Sequence, residues 1–338
     1  MSNLTKAIFG LIIATAAGFG VWALLLTTGV FDIALEDLRA KYETPASKYI
    51  ELDGIDVHYI DEGDGPAVLL SNASYHSTRS WDGMVENMTD KFRVIRFDFP
   101  GNGLSGLDSQ NRYSPELYGE IITRLTDALD IDTFHLVGTS SGGTVAFRYA
   151  ANNPDKIDRF VLINSAGMPR TAVTNPNRER GSTFGRWVAS KHQSMNWWRS
   201  SLASTVTKRP PFDWHVEMNY DMNRRDDRYE TGLLFRRNYI TGDPEAVINQ
   251  ITAPTAVLWG MNNPTVMHLE ANVIQLWLTG APSIVKKYEG LGHYPYIEEP
   301  ELLAGDISEF LSGGWGDQLR QTQRVKPGDV AALSGVAE

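Results

Sequence analysis

The chain has 338 residues, 42% apolar and 21% charged, which is typical of a globular protein with one large domain or two small ones. Its formal charge of -10 argues against a nucleic-acid partner, because phosphate binding requires a basic surface. Cysteine is absent, which excludes disulfides and thiolate metal sites, and the seven histidines form no cluster with metal-ligand spacing. The sequence therefore indicates no metal and no other cofactor.

The N-terminal segment carries no charge between Lys6 and Asp32, a length of about 25 residues that is enough to cross a bilayer as one helix. A signal peptide has a shorter apolar region, and the small residues at 14–16 come too early for a cleavage site. We therefore expect an uncleaved membrane anchor over residues 1–31, with 7–31 in the lipid bilayer, rather than a signal peptide or a buried helix. The flanking charges favour a body on the periplasmic or extracellular side.

After a linker over residues 32–48, apolar strand-like segments alternate with segments of helical periodicity. The first two strands meet at the turn Asp53-Gly54, as in a hairpin. Later strands follow helical segments, which predicts a mostly parallel sheet covered by helices on both faces. Because functional loops of such sheets follow the carboxyl ends of the strands, we expect the chemistry there. The strand-like segments are "AVLLSN", "FRVIRFDF", "FHLVGT" and "RFVLINS".

The strongest candidate motif is Gly138-Thr139-Ser140-Ser141-Gly142, which fits G-x-S-x-G between a predicted strand and a predicted helix. A serine on this sharp turn is held clear of the sheet, and small flanking residues let the backbone pass without collision. The amide of Ser141 would point from the helix N-terminus toward an oxyanion. The alternative is a Gly/Ser-rich turn that only caps a helix, since serine is a favoured N-cap. The strand before and the helix after it favour Ser140 as a nucleophile.

Two further motifs accompany this one in order: "RFDFPGNGLSG" at 96–106 and "GLGHYPYIEEPE" at 290–301. With them the chain resembles the α/β-hydrolase superfamily from about Tyr49 to Leu311, in a serine esterase or lactonase-like branch that includes membrane-anchored members. The resemblance implies a mostly parallel eight-stranded sheet with helices on both faces and a helical cap after strand 6. The implied boundaries are a core at 49–167 and 251–312, a cap at 168–250 and a polar tail at 313–338.

In the family pattern, His293 is the general base that takes the Ser140 proton and returns it to the leaving group. The resemblance also places one oxyanion donor on the backbone of Ala73, with Ser141 as the other. Most relatives carry His-Gly before this position, whereas Ser71-Asn72 here is similar to the enol-lactonase subgroup, and Asn72 is a candidate pocket residue. The other histidines lack a catalytic context, and we interpret them as structural or solvated: His58, His76, His135, His192, His215 and His268.

The expected cap is rich in aromatic and basic residues. Its tryptophans are candidates for an apolar substrate pocket, although aromatic residues in a helical cap mostly pack the cap together. Its arginines form either a solvated helix face or a surface toward anionic lipid headgroups. The tryptophans are Trp187, Trp197, Trp198 and Trp214, and the arginines are Arg224, Arg225, Arg228, Arg236 and Arg237.

The family pattern has a catalytic acid after strand 7, usually in G-x-x-D-P, and this chain carries Asn263 at that position. The alternative acid position, after strand 6, is Asn164. An amide oxygen can accept from the histidine Nδ1–H, but it cannot stabilise the imidazolium that forms as Ser140 loses its proton. In a serine protease the equivalent Asp-to-Asn exchange lowers kcat by about 10⁴.

Three hypotheses follow for a small-molecule site without a cofactor. The first is a serine hydrolase of carboxylesterase or lactonase type, with Asn263 orienting His293 or with Glu270 or Glu289 as the acid. The second is a degenerate, membrane-tethered binding protein that keeps the pocket. The third is a hydrolase that cleaves C–C bonds on the same scaffold. Retention of Ser140, His293 and the motif glycines favours the first.

Overall fold

The computed structural model describes residues 2–168, 193–240 and 242–319. Eight strands form one sheet in the order β1-β2-β4-β3-β5-β6-β7-β8. All pairs from β4 to β8 in this order are parallel, whereas β2 runs antiparallel to both β1 and β4. The strands are β1 (Ser47–Leu52), β2 (Ile55–Glu62), β3 (Ala67–Ser71), β4 (Arg93–Phe97), β5 (Phe134–Thr139), β6 (Ile157–Ile163), β7 (Thr255–Gly260) and β8 (Ser283–Tyr288).

The β1–β2 hairpin closes at the predicted turn. Asp53 and Gly54 have φ values of 56° and 77°, and two successive positive φ values are what a two-residue hairpin loop of type I′ requires. Aspartate and glycine are among the residues that adopt this conformation at low cost, so local chemistry fixes the register of the pair.

Helices cover both faces of the sheet. Strand β3 shows the reason: Val68 and Leu70 pack into one apolar cluster, and Leu69 between them packs into the other. The first cluster is covered by α3 (Asp82–Val85), α11 (Pro295–Glu298) and α12 (Pro300–Leu311), and the second by α4 (Pro115–Ala128), α5 (Ser140–Asn152) and α10 (Leu269–Trp277). The predicted mostly parallel eight-stranded sheet with helices on both faces is confirmed.

A helical insertion separates β6 from β7. Within the described residues it contains α6 (Met195–Thr205), α7 (Asp213–Met222), α8 (Arg228–Asn238) and α9 (Pro244–Ile248). A small apolar cluster of Trp198, Leu202 and Val216 packs α6 against α7. Trp187 and His192 lie outside the described residues.

The N-terminal part has two helices with different surroundings. Helix α1 (Asn3–Leu25) buries none of its side chains, and its length and apolar composition suffice to cross a membrane; it could be a membrane anchor or a signal sequence. Helix α2 (Leu35–Tyr42) lies within the predicted linker, and its Leu38 is buried against Leu104 and Met218. The segment that follows α1 is therefore docked on the insertion and on the loop after β4.

Candidate active site

Ser140 lies at the junction of β5 and α5 in a strained backbone conformation. Its φ is 52°, which is uncommon for a residue with a Cβ atom, whereas Thr139 before it is extended. The turn lifts the serine from the end of the strand to the first residue of the helix. This is the sharp strand-turn-helix geometry that the G-x-S-x-G motif predicts.

The motif glycines are required by close backbone packing. A Cβ atom on Gly142 would lie 2.2 Å from the carbonyl oxygen of Asn72, and one on Gly138 would lie 2.5 Å from the Cβ atom of Ala146. Both distances are far below van der Waals contact, so no larger residue fits without moving the backbone. The two glycines therefore bring α5 and the loop after β3 close to Ser140.

His293 and Ser140 form the central pair of the site. The Nε2 atom of His293 lies 3.0 Å from the Oγ atom of Ser140, although 153 residues separate them in the chain. The imidazole is 2% exposed, and burial lowers its pKa to about 3, with a further contribution from nearby His76. The ring is therefore neutral near pH 7, as a general base must be before it accepts a proton.

The loop that carries His293 is held by three other parts of the chain. Asn164, just after β6, donates from Nδ2 to the carbonyl oxygens of Gly292 (3.0 Å) and His293 (2.9 Å). The backbone N–H of His293 donates to the carbonyl oxygen of Thr205 at 2.7 Å. The buried carboxylate of Glu298 accepts from the N–H of Gly292 at 2.7 Å and from two N–H groups of the insertion. Sequence reasoning identified neither Glu298 nor this role of Asn164.

The other ring nitrogen of His293 has no such support. Its Nδ1 atom is buried and has no hydrogen-bond partner among the described residues. Asn263 is also buried, but its Oδ1 atom accepts from the N–H groups of Thr265 (2.9 Å) and Val266 (3.2 Å), and its Nδ2 atom has no partner among the described residues. The structure therefore brings Ser140 and His293 together and does not hydrogen-bond Asn263 to either.

The two alternative acids do not contact the imidazole either. Glu270 lies in the first turn of α10, where burial raises the pKa of its carboxyl to about 7. Its carboxylate accepts a hydrogen bond from the N–H of Met267 at 3.4 Å. Glu289 is exposed at the end of β8. Within the described residues, no carboxylate accepts a hydrogen bond from His293.

The loop after β3 lies beside the first turn of α5. The backbone N–H of Ser74 donates to the Oγ atom of Ser141 at 2.7 Å, which fixes the distance between the two expected oxyanion residues, Ala73 and Ser141. The side chain of Asn72 is used within the fold, because its Nδ2 atom donates to the carbonyl oxygen of Phe97 at 2.9 Å and its Oδ1 atom accepts from Trp81. Asn72 thus holds the loop in place.

The sequence model of a protein family, that of the α/β hydrolase fold, matches residues 66–300 of this chain. The chain belongs to the α/β-hydrolase fold family. Among curated proteins it is 24% identical over 270 residues to a pimeloyl-[acyl-carrier protein] methyl ester esterase of Nitrosomonas europaea, covering 72% of this chain and 95% of that protein. Such relatives support a hydrolase of the α/β fold.

Solved structures agree with this α/β-hydrolase fold. The structure of a bacterial membrane phospholipase A has a TM-score of 0.68 at 23% identity, covering 91% of this chain and 98% of that one. The enol-lactonase from Burkholderia xenovorans LB400 has a TM-score of 0.64 at 21% identity, covering 78% of this chain and all of that one. At these identities the likeness concerns the fold.

A cavity of about 260 Å³ in this α/β hydrolase lies next to the serine turn. It is lined by both expected oxyanion residues, Ala73 and Ser141, by the candidate pocket residue Asn72, and by residues of α8. Its aromatic wall consists of Tyr75, Phe99, Tyr118, Phe235 and Tyr239.

The predicted tryptophans are placed elsewhere. Trp198 is buried between α6 and α7, Trp197 packs edge-on against it at 5.1 Å, and Trp214 lines a separate cavity of about 420 Å³ beside α2 and α11. None of the three lines the cavity next to Ser140, because they lie on α6 and α7 whereas α8 forms its wall. Of the three, only Trp198 is buried in the packing of the insertion, whereas Trp197 and Trp214 are exposed.

A pair of buried histidines, His76 and His215, lies beside Ser140 and His293. The Nε2 atoms of His76 and His215 are 2.9 Å apart, and the Nδ1 atom of His76 lies 3.2 Å from the carbonyl oxygen of Ser74. Since a carbonyl only accepts, Nδ1 of His76 carries the proton and His215 donates from Nε2. Burial lowers the pKa of His76 to about 4 and that of His215 as well. The pair is neutral near pH 7 and joins the loop after β3 to the insertion.

Proposed function

We propose that the protein is a serine hydrolase that cleaves carboxylic esters or lactones through an acyl-enzyme on Ser140, with His293 as the general base. The observation that carries the proposal is the 3.0 Å contact between His293 Nε2 and Ser140 Oγ at a strained strand-helix turn. A serine in a merely structural turn has no need of a neutral buried imidazole at hydrogen-bond distance.

In the proposed reaction, Ser140 transfers its proton to His293 Nε2 as Oγ attacks the ester carbonyl carbon. The imidazolium then protonates the leaving alcohol, and a water molecule repeats the sequence on the acyl-enzyme, with His293 again as base. The backbone N–H groups of Ala73 and Ser141 stabilise the negative oxygen of each tetrahedral intermediate. Serine is regenerated and one ester bond is hydrolysed per cycle, without a cofactor.

The helical insertion serves in this proposal as the cap over the site. Helix α8 supplies one wall of the cavity next to Ser141, and the backbone of Thr205 holds the histidine loop at 2.7 Å. A cap that contacts both the pocket and the base excludes water from the reacting atoms, which strengthens the electrostatic interactions there.

One observation favours a second candidate, a degenerate binding protein with the same pocket. His293 Nδ1 lacks a hydrogen-bond acceptor among the described residues, and the family acid position carries the amide of Asn263. Loss of the carboxylate lowers the rate of such sites by about 10⁴ but leaves catalysis above the uncatalysed rate. The serine hydrolase therefore remains our proposal, with a low turnover rate.

A fluorophosphonate probe tests the proposal directly. The full-length protein in detergent should become covalently labelled, should release 4-nitrophenol from short 4-nitrophenyl esters, and should lose both activities in the Ser140→Ala variant. Folded protein that shows neither labelling nor hydrolysis would establish the degenerate alternative. Labelling that persists in Ser140→Ala would place the nucleophile elsewhere.

We further propose that α1 anchors the protein in a membrane with the catalytic domain outside the cytoplasm. The lack of buried side chains in α1 and the docking of α2 on the folded domain support an anchor that stays attached. A reporter fused after Glu338 and active only in the cytoplasm should be silent. An active reporter would reverse the orientation.

A further inference from the structure

The cavity next to Ser140 has a charged region in its otherwise aromatic wall. Arg228, the first residue of α8, lines the cavity together with Tyr75 and Arg236. The guanidinium carbon of Arg228 lies 4.9 Å from the centre of the Tyr75 ring, and its Nε atom donates to the Oδ1 atom of Asn223 at 3.3 Å. The two terminal nitrogens have no hydrogen-bond partner among the described residues, although they are the atoms best placed to bind an anion.

Neighbouring arginines of the same segment are used differently. Arg225 is buried and pairs with Asp227 at 2.7 Å, and it also donates to the carbonyl oxygen of Ser105 at 2.6 Å. Arg224 donates to the carbonyl oxygen of Phe31 at 2.7 Å and stacks on Tyr220. Both therefore hold the segment after α7 against the rest of the chain. Arg228 has no carboxylate partner in the part of the chain that the structure describes, and its charge is directed to the cavity.

A cation in this position is costly unless an anion joins it. Burial lowers the pKa of the Arg228 guanidinium, which shows that its charged form is less well solvated than in water. The charges of Asp227 and Arg225 act on Arg228 in opposite directions, and the two residues form an ion pair with each other at 2.7 Å. Arg236 at the cavity edge is a second cation and adds no compensation. An anionic group in the cavity would therefore gain a fork of two charge-assisted hydrogen bonds with little competition.

We propose that Arg228 selects ester substrates that carry an anionic group, a carboxylate or a phosphate, on the part of the molecule held in the cavity. The proposal rests on the proposed serine hydrolase and specifies its substrate class. The Tyr75 ring that supports the guanidinium is two residues from Ala73, on the same loop. The anion site and the oxyanion donors thus share one loop and one cavity, so a single small ester can reach both.

Matched substrate pairs test this selectivity. The acyl pair is mono-4-nitrophenyl glutarate and 4-nitrophenyl valerate, which differ by a carboxylate in place of a methyl group. The phosphate pair is 1-butyryl-glycerol 3-phosphate and monobutyrin. For at least one pair the wild-type protein should prefer the anionic member by about ten- to hundredfold in kcat/KM, the range of a hydrogen-bonded ion pair. The pair that shows the preference identifies the anion as carboxylate or phosphate.

Variants at two arginines of α8 distinguish a specific anion site from a general effect of surface charge. Arg228→Gln should bring the ratio of anionic to neutral kcat/KM to near one, and Arg228→Lys should restore part of it, because lysine keeps the charge without the fork. Arg237→Gln is the matched control, since Arg237 is exposed on the same helix and does not line the cavity. The ratio is measured within one protein sample, so partial misfolding cancels. A wild-type ratio near one for both pairs, or a ratio that Arg228→Gln leaves intact, would overturn the proposal.

A binding measurement keeps this inference separate from the proposed catalysis. Calorimetric titration of the Ser140→Ala variant with monomethyl glutarate and methyl valerate, and with the phosphate pair, requires no turnover. An anionic preference that disappears in the Ser140→Ala, Arg228→Gln double variant supports the anion site even if no ester is hydrolysed. Equal affinities within both pairs would contradict the anion site even if the fluorophosphonate probe labels Ser140.

Discussion

The two nitrogens of the His293 ring differ in their hydrogen-bond partners: Nε2 contacts Ser140, whereas Nδ1 has no partner among the described residues. On the Nε2 side, Ser140 is held by a strained turn, by close glycine packing and by the hydrogen-bonded loop after β3. On the Nδ1 side, the loop after β7 provides no acceptor among the described residues, and Asn263 uses its oxygen to form its own turn. The serine half of the site depends on backbone geometry, whereas the acid half depends on a single charge.

This difference indicates which part of a catalytic site can change without loss of the fold. A change at Gly142 would force backbone atoms apart, because a Cβ atom there meets the Asn72 carbonyl oxygen at 2.2 Å. An aspartate-sized amide at position 263 disturbs no packing and keeps both turn hydrogen bonds. The charge of the acid half can therefore be absent while the whole serine half persists.

The largest effect is expected from Asn263→Asp. A carboxylate keeps the acceptor for Thr265 and Val266, and its second oxygen replaces the buried Nδ2 atom that has no partner among the described residues. The two backbone donors favour its ionised form. The loop after β7 contacts the histidine loop, because the N–H of Asn262 donates to the carbonyl oxygen of Leu291 at 2.9 Å. If the carboxylate at position 263 serves as the acceptor for His293 Nδ1, it stabilises the imidazolium, and kcat at neutral pH should rise by about 10² to 10⁴.

The pH dependence provides a second readout for Asn263→Asp. The added charge should raise the pKa of His293 from about 3, so the loss of kcat/KM on acidification should begin at a higher pH than in the wild type. Asn262→Asp is the matched control, because Asn262 is adjacent and exposed. An unchanged rate and profile would show that the Nδ1 acceptor does not come from position 263.

The same chemical change at Asn164 should have the opposite result. Asn164 donates from Nδ2 to the carbonyl oxygens of Gly292 and His293 and accepts from Gly260, all within a buried region. An aspartate would place an oxygen against two carbonyl oxygens. The φ of Asn164 is 45°, a value that asparagine and aspartate both tolerate. The expected loss of activity and stability therefore comes from the side-chain contacts and not from backbone strain.

We expect Asn164→Asp to lower kcat by about 10- to 100-fold and the free energy of unfolding by about 1–3 kcal/mol, the cost of an unsatisfied buried polar group. Activity assays and thermal unfolding of the detergent-solubilised protein measure both. A gain in kcat would instead make position 164 the acid position, and the assignment of the acid half to the loop after β7 would be wrong.

The sequence could predict the serine half because its requirements are local. The turn at Ser140 needs glycines at fixed spacing between a strand and a helix, and that pattern is visible in five residues. The eight-stranded sheet follows from alternating apolar segments in the same way. Asn164 and Asn263 look alike in the sequence, however, and only tertiary contacts show that one donates to the histidine loop and the other accepts within its own turn.

Pocket residues were harder to predict, because aromaticity does not reveal which side of a helix faces the cavity. The sequence pointed to Trp197, Trp198 and Trp214, whereas the cavity wall consists of residues such as Phe99 and Tyr118, which stack at 4.2 Å. Arg228 looked like one of five similar arginines. Its distinction arises from partners at distant positions, which composition and periodicity do not contain.

The smallest predicted effect concerns the pH dependence of stability that arises from the buried, neutral His76 beside Ser140 and His293. His76 is buried beside His293 with a pKa lowered to about 4, whereas an unfolded histidine titrates near 6.5. Between these values the unfolded state binds more protons, so this residue lowers the stability as the pH falls from about 6.5 toward 4. Buried Glu270, with a pKa raised to about 7, acts in the opposite direction over part of the range. The change in the free energy of unfolding with pH therefore sums opposing contributions. A comparison between the wild type and a His76 variant isolates the contribution of His76.

His76→Gln should reduce the loss of stability between pH 7.5 and pH 5 by about 1–2 kcal/mol relative to the wild type. Any cost of lost packing is present at both pH values and cancels in this difference, as does the contribution of Glu270. Thermal unfolding of both proteins at the two pH values measures it. An equal acid sensitivity would mean that the pKa of His76 in the folded protein is close to its unfolded value of about 6.5, so that the ring gains its proton between pH 7.5 and pH 5. At pH 5 the serine half would then carry a positive charge that favours the oxyanion and opposes the imidazolium of His293.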